Sequence, residues 1–140
     1  MTTFAYIRSS RTHQKDSPEV QLGKIKEYLA LHPEVPPLLE QNIVEDVGIS
    51  GRIDFTARPG SKFLLGMLNK DDHLICNELS RLGRNMIDTL NAVNILCTRG
   101  VVVHVLDMRG FGVGNLNLPL GKFLGAVLSF FAEMESSYRV

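Results

Sequence analysis

The sequence predicts an α/β protein, a mostly parallel sheet flanked by helices, and three observations carry that expectation. Four short segments, Thr3 to Arg8, Gln41 to Asp46, Asp72 to Asn77 and Val101 to Leu106, have the length of strands, with the second the weakest in β-forming residues. Between them stand segments whose apolar residues recur at threes and fours, the spacing of one helical face. Strand and helix alternate along the chain, which is the order of parallel strands joined by helical crossovers.

The first strand candidate hands over to a polar loop, Ser9 to Asp16. Ser17-Pro18 supplies an N-cap and a proline at the first helical position, and Val20, Leu22, Ile25, Tyr28 and Leu29 mark an apolar face that runs to about Leu31. Pro33, Pro36 and Pro37 end that helix. After the second strand, Val47-Gly-Ile-Ser-Gly51 suits a backbone that bends around a ligand. A helix begins at Arg58-Pro59, with Phe63, Leu64, Met67 and Leu68 as its apolar side. Asp71-Asp72 reads as the turn into the third strand, and Glu78 to Gly83 as a connecting loop. Met86, Ile87, Leu90, Val93 and Leu96 then mark a helix closed by Arg99-Gly100. Beyond the fourth strand, Asp107 to Asn117 is a glycine-containing connection. Pro119 opens a long C-terminal helix with a broad apolar stripe through Leu120, Leu124, Val127, Phe131, Met134 and Tyr138. To Val140 it would run about 33 Å at about 1.5 Å per residue, with no stop signal, so it is expected to continue in a longer protein.

The 140 residues, 44% apolar and 21% charged, suit one domain with a real core. The longest mainly apolar stretch, Phe123 to Ala132, falls short of the roughly 18 residues a membrane span needs, and the first residues lack signal-peptide character. A soluble, cytoplasmic protein with no membrane partner is expected. Cys76 and Cys97 lie in apolar contexts without metal-ligand spacing and read as reduced core residues. His13, His32, His73 and His104 are dispersed, read as surface or strand positions, and no metal site is expected. Lys and Arg number 15 against 15 Asp and Glu, so any nucleic-acid function must rest on a local cluster rather than on bulk charge.

Three polar clusters fall where an open α/β sheet places its ligands, beyond the carboxyl ends of strands. They are Arg8-Ser9-Ser10, Asp46 to Gly51 with Ser50, and Glu78-Leu-Ser-Arg81-Leu-Gly-Arg84. Two of them carry arginine, whose planar fork suits phosphate oxygens. Singly, each is equally well read as a turn, a loop hydroxyl or a solvated basic pair.

The collinear set is far more specific. Tyr6-Ile-Arg8-Ser-Ser10, Gln21, Asp46-x-Gly-x-Ser50-Gly51 with Arg58-Pro-Gly60, Glu78-x-Ser80-Arg81-Leu-Gly-Arg84 and Ala132-Glu-Met-Glu135 together resemble the catalytic domain of the serine recombinases, the resolvase and invertase family. The resemblance spans nearly the whole chain. It implies a resolvase-like catalytic domain over 1–140, with a C-terminal DNA-binding domain absent. It also implies a site-specific DNA recombinase that works through a covalent 5′-phosphoserine intermediate, needs no cofactor, and assembles from homodimers into a synaptic tetramer on DNA. By the same resemblance, Ser10 matches the nucleophile, and Arg8, Arg81 and Arg84 match the arginines around the scissile phosphate. Gln21, Asp46, Ser50, Arg58 and Asp72 match supporting positions.

The chemistry agrees with those roles. Attack on a phosphodiester builds charge on nonbridging oxygens, which fixed guanidinium groups stabilise without a metal. A covalent serine step conserves the phosphodiester bond energy, so religation needs no ATP, and no GxxxxGK[ST] loop is present. Two departures stand out. Ser80 replaces the acidic residue that often precedes the Arg-Leu-Gly-Arg run, leaving the general base unassigned, and Ser136 follows Glu135 where an arginine is common. The competing reading is a catalytically inactive recombinase-like module used for dimerisation or phosphate binding. An ester hydrolase lacks GxSxG and a placed histidine.

Overall fold

The computed structural model describes residues 1–9, 17–50, 52–107 and 133. Within them four strands, β1 (Thr3–Ser9), β2 (Leu38–Val47), β3 (His73–Cys76) and β4 (Val102–Val105), form one sheet in the order β2-β1-β3-β4. Every pairing is parallel. The helices α1 (Pro18–Leu31), α2 (Pro59–Met67) and α3 (Met86–Thr98) lie on both faces, the layered α/β architecture that the alternation predicted.

β1 shows how the two faces are built. Its residues alternate sides, so Phe4 and Tyr6 join Leu64, Leu68, Val93 and Leu96 in one core beneath α2 and α3, while Ala5 and Ile7 join Ile25 and Tyr28 of α1 in the other. All seven β1 residues are buried, as expected of a central parallel strand covered on both sides. β2 is an edge strand and mostly exposed, which explains its weak strand signal. It starts earlier than the sequence suggested, at Leu38. The extra length is absorbed by a bulge, where β1 pairing jumps from Thr3 with Leu38 to Ala5 with Ile43.

The helix ends follow local chemistry. Ser17 Oγ accepts from the Val20 amide at the start of α1, and Asn85 Oδ1 accepts from the Asp88 amide at the start of α3. Gly100, at φ 80°, ends α3 in the left-handed region that glycine enters without strain. Asp71, at φ 71°, makes the turn into β3.

Several expectations need correction. Of the four apolar residues expected to line α2, Leu64 and Leu68, the latter at the C-cap, are buried, whereas Phe63 and Met67 are 58% and 46% exposed. On α1 the polar Gln21 is buried while Val20 is exposed. Glu78 to Gly83 is not an open loop: Leu79–Leu82 form a 3-10 turn that buries both leucines. A second such turn, Phe55–Ala57, lies before α2.

The histidines are not all dispersed. His73 Nδ1 and His104 Nε2 lie 2.9 Å apart, and His104 Nδ1 lies 2.9 Å from the Tyr28 hydroxyl, whose ring stacks on His32. Both cysteines are free, and burial pushes their thiols above the ordinary range. No helix among the described residues is long and apolar enough to cross a membrane. His13 and the expected C-terminal helix lie outside the described residues, save Glu133, which is helical and exposed.

Candidate active site

The parallel sheet brings the carboxyl ends of β1, β2 and β3 together, and with them most of the singled-out residues. Arg8 precedes the last residue of β1, beside Asp46 of β2. Arg8 is 9% exposed, and its Nη1 donates to the Ile49 carbonyl at 3.2 Å. Its own carbonyl accepts from Nε2 of Gln21 at 2.9 Å, so α1 holds the end of β1 through a buried amide. Ser10 follows directly in sequence and lies outside the described residues.

Asp46 has a different task from that of a reactive carboxylate. α2 begins with Arg58 at its N-cap, which offers no side-chain cap. Asp46 reaches over from β2 instead, accepting from the Gly60 amide at 2.7 Å and the Ser61 amide at 3.1 Å. A negative charge at that helix end also meets the favourable side of its dipole. The Tyr6 hydroxyl donates a further bond to Asp46 Oδ2 at 2.8 Å, and burial holds the phenol above its ordinary pKa, so that it stays a donor. The glycine of Arg-Pro-Gly is explained by this cap, since a Cβ at Gly60 would lie 2.7 Å from Asp46 Oδ1.

Arg58 is fully buried. Its Nε donates to the Ile53 carbonyl at 3.1 Å, and its Nη1 donates to the Tyr6 hydroxyl at 3.2 Å and to the Arg81 carbonyl at 2.5 Å. It is an interior strut between β1, the segment before α2 and the arginine-bearing turn. No face of it is open to a phosphate.

Arg81 is also buried, 4% exposed, and its Nη2 lies 3.2 Å from Glu78 Oε2. Ser80 Oγ lies 3.3 Å from the same carboxylate oxygen. Arg84 is half-exposed, with its Nε 2.7 Å from Asp54 Oδ1. Between the two arginines Gly83 packs against α3: a Cβ there would lie 2.5 Å from the Thr89 backbone nitrogen, so the Leu-Gly-Arg spacing demands glycine. Arg8, Ser50 and Arg84 line one cleft of about 450 Å³ with Arg52, Ser80 and Thr89. Ser50 is exposed, and its Oγ accepts from the Arg52 amide at 3.1 Å.

Asp72 stands apart from this assembly. It lies at the amino end of β3, where its carboxylate accepts from the Thr2 amide at 3.0 Å and the Asn69 amide at 2.8 Å, at the opposite end of the sheet from Arg8. Its role is to close the turn before the strand. The sequence reading missed Arg52, Asp54 and Asp88 as neighbours of the arginines. Only their proximity to the Arg84 and Ser50 motifs could have pointed to them.

Asp107, just after β4, also went unremarked as a titrating group. It is exposed overall, yet partial desolvation of its carboxyl pushes its pKa up to about 6, with Glu78 adding to the rise and the Leu79 amide opposing it. Among the described residues no group of three or more His, Cys, Asp or Glu is arranged to hold a metal ion.

The family model described as Resolvase, N terminal domain, matches residues 3–140. The transposon Tn2501 resolvase of Escherichia coli is 33% identical over 133 residues, covering 94% of this chain and 62% of that protein. The DNA-invertase hin of Salmonella typhimurium is 36% identical over 87 residues, covering 62% of this chain and 43% of its own length. The chain therefore spans less than two thirds of these relatives. Among solved structures, the N-terminal catalytic domain of TP901-1 integrase superposes over the full length of both chains with a TM-score of 0.67 at 19% identity, a likeness of fold.

Proposed function

From the premise that the chain belongs to the resolvase N-terminal domain family, we propose that it is the catalytic part of a site-specific DNA recombinase with Ser10 as nucleophile. The observation that carries this reading is the shared cleft: Arg8 and Arg84, from segments 76 positions apart, line it together with Ser50 at the carboxyl end of the sheet, where β1 leads into Ser10. Two arginines lining one concave surface suit a phosphodiester better than any neutral ligand.

In the proposed reaction the Ser10 hydroxyl attacks phosphorus. An oxygen–phosphorus bond forms to serine, the bond to the 3′ oxygen breaks, the serine proton leaves to a base and the departing 3′ oxygen gains a proton. Religation reverses those steps with a new 3′ hydroxyl. Arg8 and Arg84 stabilise the charge on the nonbridging oxygens. Arg81, inside the protein and paired with Glu78, supports that face from below. Gln21 fixes the Arg8 carbonyl, while Asp46 and Arg58 hold α2 and the arginine-bearing turn in register. DNA is the substrate, and a homodimer that pairs into a synaptic tetramer is the working assembly. The proposal is tested by incubating the whole protein with a nicked recombination-site duplex in excess EDTA. A denaturant-resistant protein–DNA adduct is expected, and strict dependence of its formation on a divalent cation contradicts the metal-free chemistry.

A further inference from the structure

Arg84 is the most exposed of the three motif arginines, with 51% of its side chain open, and a long side chain in solvent has many rotamers to lose before it can grip a phosphate. Two carboxylates outside the motif limit that freedom. Asp54 Oδ1 lies 2.7 Å from Arg84 Nε. Asp88 Oδ2 accepts from the Arg84 backbone amide at 2.9 Å and from the Phe55 amide at 3.0 Å. One carboxylate thus fixes where the Arg84 backbone stands relative to the segment before α2, and the other fixes the side chain from that same segment. The segment is itself anchored, because buried Arg58 donates to the Ile53 carbonyl. The Asp54 contact is made at Nε, and the guanidinium has further N–H donors with which to meet a ligand in the cleft that Arg84 lines.

We propose that Asp54 and Asp88 are positioning residues that hold Arg84 against the phosphate cleft, an inference that rests on the recombinase reading above. An ion pair between half-exposed groups contributes little to stability, so its value here lies in preorganising a donor. Losing that alignment is expected to slow the chemical step by roughly tenfold to a hundredfold and to leave DNA affinity within about twofold.

The test has two arms. In the DNA-free chain, the Arg84 Nε–H resonance is expected to stand apart from the solvated arginines and to collapse onto them in Asp54→Ala, with the core methyl signals unmoved. In the whole protein, Asp54→Ala is expected to slow adduct formation, Asp54→Glu to recover part of the rate because it restores a carboxylate for the ion pair with Arg84, and Asp54→Ala to add nothing once Arg84→Ala is present. Asp88→Ala is expected to shift the same resonance and to slow adduct formation similarly, with the melting transition reporting its separate capping role. Three results would overturn the proposal: an Arg84 signal indifferent to Asp54→Ala, full additivity of Asp54→Ala with Arg84→Ala, or faster cleavage by Asp54→Ala, which would make the aspartate a competitor of the phosphate. An unsubstituted protein that forms no adduct contradicts the recombinase reading instead, and the DNA-free resonance then still decides whether the two carboxylates hold the arginine.

Discussion

The guanidinium of Arg58 donates to the backbone carbonyl of Arg81 at 2.5 Å, so one arginine of the family pattern serves as the internal support of another. The same Nη1 reaches the Tyr6 hydroxyl, which in turn donates to Asp46. Arg58→Ala would leave the Ile53 and Arg81 carbonyls and the buried Tyr6 hydroxyl short of partners. The expected cost is at least about 3 kcal/mol, read from urea denaturation. Arg58→Lys is expected to recover little, because a point ammonium cannot bond in three directions along a plane. A variant as stable as the parent would remove the strut from the account.

Gly83→Ala probes the packing of the arginine-bearing turn on α3. The new methyl would overlap the Thr89 backbone nitrogen and Oγ1, both 2.5 Å away. Destabilisation of about 1–3 kcal/mol is expected, as for other overpacked sites. Adding Thr89→Ala should not restore it, since the backbone clash remains, and full recovery in that double variant would show that only the side chain matters.

Two groups give the stability profile opposite slopes. Desolvation lowers the His73 pKa, opposed by Asp72 and Asp71 and reinforced by the amino terminus. A lowered histidine contributes stability that is complete above about pH 6.5 and is lost as pH falls through the folded value. Asp107 is raised from 3.8 to about 6, so its contribution is complete below about pH 4 and is lost as pH rises through about 6. Denaturation curves between pH 4 and 8 should therefore show His73→Gln flattening the acid-side loss and Asp107→Asn flattening the loss toward neutral pH. Unchanged slopes in both variants would contradict the assignments.

DNA binding by these 140 residues alone should be weak and shallow in its salt dependence. Net charge is zero, and the cleft arginines contact only a phosphate or two, each worth about 0.9 in the slope of log K against log salt. Titration of a labelled duplex at several salt concentrations measures that slope. Tight, site-selective binding with a steep slope would place the recognition surface inside this domain.

What was legible in the sequence follows from how local the cause is. The start of α1 and the end of α3 were readable because Ser17-Pro18 and Gly100 act on their own neighbours, whereas the Asn85 cap of α3 went unread. The site motifs Arg8, Ser50 and Arg84 were readable as a collinear set, and the cleft unites them. The interior role of Arg58 was not readable, because its partners Tyr6, Ile53 and Arg81 come from three separate segments. Phe63 and Met67 misled because apolar spacing reports a face without saying how much of it a sheet covers. His73 and His104 meet only because β3 and β4 pair side by side.

Peptide mapping of the covalent protein–DNA adduct decides which side chain attacks the phosphodiester. The recombinase account predicts the nucleotide phosphate on Ser10, no adduct from Ser10→Ala and a normal yield from Ser9→Ala, whose side chain is buried at the end of β1. Phosphate mapped to Ser9 or any other residue, or an adduct that survives Ser10→Ala, would contradict it.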